Sequence, residues 1–63
     1  MPTWQSQPIH VDGIDVQVHV TAEGVTFGKL VDGVYSSDLL LTSEQARDLG
    51  YALLTAANRA REG

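Results

Sequence analysis

Between Ile14 and Thr21 every second residue is apolar: Ile14, Val16, Val18 and Val20 alternate with Asp15, Gln17, His19 and Thr21. Beyond Thr42 the spacing changes, and Ala46, Leu49, Gly50, Leu53, Leu54, Ala57 and Ala60 recur at helical intervals. A period of two lines one face of a strand, whereas a period near 3.6 collects a stripe along a helix. The pattern predicts an α+β fold in one domain spanning 1–63. Residues 1–7 form an irregular N-terminal arm, residues 8–41 antiparallel strands, and residues 42–61 a helix. The sheet is a β-meander of three to four strands packed against that one C-terminal amphipathic helix.

Turn chemistry sets the register. Asp12-Gly13 suits a two-residue hairpin turn with φ > 0 at both positions, which places Val11 opposite Ile14 and His10 opposite Asp15. Ile9, Val11, Ile14 and Val16 then share a face, so the turn and the apolar pattern agree. Ala22-Glu23-Gly24 makes the next turn, followed by a strand from Val25 to Val31. Asp32-Gly33 repeats the hairpin signal. In the last strand, from Val34 to about Leu40, Tyr35, Leu39 and Leu41 align at period two while Val34 and Leu40 lie opposite. Ser36-Ser37-Asp38 in its middle predicts a bulge or a frayed entry.

Thr42-Ser43-Glu44-Gln45 is a capping box: the Thr hydroxyl accepts from the Gln45 N–H, and the Gln side chain reaches back to the cap N–H. Gly50, inside the helix, costs about 1 kcal/mol relative to Ala, which implies close approach of the helix to its own sheet. Leu53 is expected in the core. The opposite flank, with Tyr51, Thr55 and Arg59 among small residues, is expected to form an interface by packing against a second helix. Trp4 either folds over the sheet edge or anchors a partner, because Trp is enriched at interface hot spots. Trp4, Tyr51, Thr55 and Arg59 are therefore the candidate protein-interface residues.

A 63-residue chain buries only about 60% of the surface its unfolded form exposes. Cysteine is absent, which removes disulfides and thiolate metal sites as staples. A homo-oligomer, expected as a dimer, or a larger protein partner is left to supply stability. The net charge of −4 argues against binding a phosphate backbone unaided. No apolar run reaches the roughly 18 residues of a membrane span, and the N-terminal stretch lacks a secretory pattern, so a cytoplasmic protein is expected.

Candidate chemistry is sparse. His10 and His19 are separated along the sheet and read as residues facing solvent or an interface, not as metal ligands. Ser36, Ser37, Asp38, Ser43 and Glu44 cluster without a neighbouring His, so capping and turn formation explain them better than nucleophilic catalysis. No enzyme activity, cofactor or metal is expected.

Leu39 to Leu49, continuing through Ala52-Leu53-Leu54 and Ala56-Ala57, resembles the C-terminal half of many short actinobacterial and actinobacteriophage proteins. These proteins pair Asp-Gly-linked strands with a Thr-capped Ala/Leu helix. The resemblance implies a small protein, phage- or mobile-element-encoded, and assigns no activity or site residue. The expected function is a non-enzymatic protein-binding module, acting as a homodimer and modulating a host protein. The alternatives are a regulator touching nucleic acid through Arg47, Arg59 and Arg61, or a self-assembling structural protein.

Overall fold

The computed structural model describes residues 2–62; Met1, the first residue of the arm, and Gly63 lie outside the described residues. Five strands precede one helix: β1 (Trp4–Gln5), β2 (Ile9–Val11), β3 (Ile14–Thr21), β4 (Gly24–Val31), β5 (Val34–Leu41) and α1 (Ser43–Glu62). All pairings are antiparallel, and β1 and β2 share the outer edge of β3 while β4 and β5 follow in order. The fold is α+β, as the change of period predicts. The sheet has one strand more than the three to four expected, because Trp4–Gln5, within the stretch read as irregular, pairs with Val20 and His19.

The hairpins follow their turn residues. Asp12 and Gly13 have φ of 47° and 84°, and Asp32 and Gly33 have 53° and 79°, the left-handed pair that a two-residue turn requires. His10 stands opposite Asp15 and Val11 opposite Ile14, the register read from the sequence. In β5, Phe27 pairs with Leu39 but Gly28 with Ser37, so Asp38 is the extra residue of a bulge. That bulge resolves the mixed pattern of the strand. Val34, Leu39 and Leu41 turn to the apolar face with Val16, Val18 and Phe27, while Tyr35, Ser37 and Leu40 join Gln17, His19 and Thr26 on the polar face.

The capping box forms as expected: the Gln45 N–H donates to the Thr42 hydroxyl at 3.1 Å, and the Thr42 N–H donates to Gln45 Oε1 at 3.0 Å. Glu44 in the first turn and Arg59 and Arg61 in the last oppose the helix partial charges.

The helix does not close over the sheet. None of its residues is buried, and among the described residues no apolar side chain is buried anywhere. Leu53, expected in the core, is 61% exposed. A Cβ added at Gly50 would meet nothing within 4 Å, so the close approach to its own sheet is absent. The stripe shows which side of the helix turns to the sheet but not at what distance, and here α1 stands off. The radius of gyration is 12.8 Å, against about 10.6 Å for a compact chain of this length.

Candidate protein-interaction surface

Two surfaces of opposite character lie on the two sides of the sheet. On the apolar side, a groove of about 420 Å³ runs between the sheet and α1. Ile9, Val18, Val25, Phe27, Leu39 and Leu41 form its floor, and Ala46, Leu49, Gly50 and Leu53 its helical wall. Alternation along β3, β4 and β5 brings the floor residues to one face, and the helical period brings the wall residues to one stripe. Among the described residues no charged one lines the groove. Among the described residues, nine of the twelve exposed large apolar side chains lie on this face or on the helical wall opposite it; the others are Leu40, Tyr51 and Leu54, the last belonging to the helical stripe but not to the groove wall. An exposed apolar surface of this kind is a candidate protein or membrane contact or ligand groove.

The polar side is organised by hydrogen bonds. Gln17 and His19 are the most buried side chains there, at 5% and 8% exposed. Gln17 Nε2 donates to the Ser6 carbonyl at 2.8 Å, which leaves Oε1 to accept from His19 Nε2 at 2.8 Å. This contact therefore requires a proton on His19 Nε2. The His19 ring stacks on Tyr35 with centroids 3.7 Å apart, and the Tyr35 hydroxyl lies 2.8 Å from Thr26 Oγ1. Ser6 ties the arm down. Its N–H donates to the Val18 carbonyl and its hydroxyl accepts the Val18 N–H at 3.1 Å, taking the place of its own carbonyl in the ladder.

Alternation alone predicts His19 facing solvent or an interface, and the structure instead buries it beside Gln17 and against Tyr35. Alternation placed it on the correct face but carries no signal for what covers that face. His10 stays exposed and pairs with Asp15 at 2.9 Å.

Beside this network lies a shallow depression of about 410 Å³, lined in part by His19, Thr21, Glu23, Thr26, Tyr35 and Ser37. Its hydroxyls are already engaged: Thr26 with Tyr35, Thr21 with the Gly24 carbonyl, and Ser37 with the Leu39 carbonyl. Among the described residues no three His, Asp or Glu side chains gather as a metal site. No helix among them is long and apolar enough to cross a membrane.

The four candidate interface residues do not form one patch. Trp4 sits at the β1 edge of the apolar face, opposite Val20 and largely exposed. Tyr51, 74% exposed, shares the outward flank of α1 with Thr55 and Arg59, both exposed. Sequence reasoning did not single out the groove itself, although its floor and wall residues were legible as two separate stripes. Comparison with protein-family models, curated proteins and solved structures returns no match.

Proposed function

We propose that this chain is a non-enzymatic protein-binding module that acts as a homodimer. One observation carries the reading: the apolar surface is gathered on one side and left open. A compact monomer of 6.8 kDa exposes about 3,950 Å², whereas this chain exposes 5114 Å². The excess is about 1,150 Å² per chain, so pairing two copies removes on the order of 2,300 Å², within the range of obligate dimers.

With the apolar side closed, the polar face remains for a further protein. Its side chains are already held by Gln17, His19 and Tyr35, so binding there orders few new groups. The resemblance of the C-terminal half to short actinobacterial and actinobacteriophage proteins favours a host protein as that partner. Two features weigh against the alternatives. The Asp38 bulge blunts the β5 edge that a self-assembling sheet would use. The helical period sets Arg59 well over 100° around α1 from Arg47 and Arg61, so the three do not form one basic stripe.

Light scattering on the eluting protein, over a wide range of concentration, tests the reading. A mass that holds at two chains on dilution is the expected result. A monomeric mass contradicts it, and a mass that grows with concentration favours open-edge assembly.

A further inference from the structure

We infer that two copies of α1 cross at Gly50, each seating Leu49 and Leu53 in the groove of the other copy. The inference rests on the homodimer reading and specifies its geometry.

Gly50 is the point of departure. Glycine is unfavourable inside a helix, and it is explained where a backbone must approach closely. Beyond its own turns of helix, nothing among the described residues comes within 4 Å of where its side chain would stand. The missing side chain therefore serves no contact inside this molecule, yet Gly50 faces the groove and forms part of its wall. Ala46 and Ala57 flank it along the same stripe, with Leu49 and Leu53 beside it as ridges. Small residues at a crossing point with leucines on either side let two helices meet at short distance.

The occupant is a second copy for three reasons. An isologous contact needs a ridge and a matching recess on the same side of one chain, and α1 and its groove supply both. The helix, 20 residues long, spans about 30 Å, and the eight-residue strands beneath it span about 26 Å, so one element covers the other end to end. The surplus surface of two chains together, about 2,300 Å² against a compact monomer, falls within what a dimer of the obligate class removes. No residue on the stripe between Ala46 and Ala57 is charged, so the contact closes without burying a charge.

The chain contains no cysteine, so a single introduced one reports its own position. Gly50→Cys has open space for its side chain, and Tyr51→Cys places the same group about 100° around the helix. A disulfide between copies needs Cα atoms within roughly 7 Å. Under mild oxidation the Gly50→Cys protein is expected to run as a linked dimer while the Tyr51→Cys protein stays unlinked. Gly50→Leu, which fills the crossing point, is expected to raise the dimer dissociation constant at least tenfold with the secondary structure retained. A wild-type dimer in which Tyr51→Cys links and Gly50→Cys does not overturns the crossing while leaving the dimer standing. So does a Gly50→Leu protein that dimerises as tightly as wild type. A wild-type chain that folds and remains monomeric overturns both readings and assigns the groove to a different protein.

Discussion

The His19 ring lies against Tyr35, centroids 3.7 Å apart and planes 12° from parallel, on the side of the sheet away from α1. This stacked pair ends a path running from the Ser6 carbonyl through Gln17 to His19. Side-chain order in the single chain is thus concentrated on its polar face. Globular proteins normally bury apolar side chains before polar ones, and the inversion here is the physical reason for assigning a partner to the apolar side.

Removing Gln17 strands two groups at once, the Ser6 carbonyl and the His19 Nε2 proton. A buried polar group left without a partner costs about 1–3 kcal/mol. Gln17→Ala is expected to lose at least that much stability in urea unfolding. His10→Ala, which removes only an exposed contact with Asp15, should lose less than about 1 kcal/mol. Equal losses would contradict the role given to the network.

Gly28 pairs with Ser37 at the β5 bulge, and a Cβ there would collide with the Ser36 carbonyl. A backbone carbonyl inside a ladder has little room to retreat, so Gly28→Ala should destabilise by about 1–3 kcal/mol. At Gly33, where space is open but φ is +79°, Ala should cost about 1–2 kcal/mol through backbone strain alone. Thermal unfolding together with amide exchange separates the two. Exchange at β5 should accelerate in Gly28→Ala and stay close to wild type along β5 in Gly33→Ala.

Thr42 and Gln45 satisfy each other's backbone N–H groups. Thr42→Ala is expected to cost about 1 kcal/mol. The Thr42→Ala/Gln45→Ala double variant should lose less than the two single losses added together, because the pair acts as a unit. Strict additivity in a double-mutant cycle would show that the reciprocal cap does not form in solution.

Much of this architecture was legible in the sequence because it follows from local rules. Asp12-Gly13 fixed the first register, Thr42 and Gln45 marked the helix start, and Ser36-Ser37-Asp38 marked the irregular stretch in which the bulge falls. Three features were not legible, each for a physical reason. Ser6 lies in a polar stretch without a period, so its substitution of hydroxyl for carbonyl in the ladder leaves no pattern. Burial of His19 depends on Tyr35, which the Asp32-Gly33 turn sets opposite Leu30 on the same face, but alternation does not say which side chain covers which. The stand-off of α1 is a distance, and hydrophobic spacing encodes only direction. For the same reason the groove, which needs both stripes held apart, could not be read from either stripe alone.

Closure of the apolar side by a second copy makes stability depend on protein concentration. Wild type and Leu53→Ala should be unfolded in urea at concentrations a hundredfold apart. For a folded dimer, mass action adds about 2.7 kcal/mol over that range, so the wild-type midpoint should rise with concentration. Leu53→Ala should fall below it by about 2–5 kcal/mol, the cost of emptying a closed core, although Leu53 is mostly exposed in the single chain. A cooperative wild-type transition whose midpoint ignores concentration, with Leu53→Ala nearly neutral, would contradict the account.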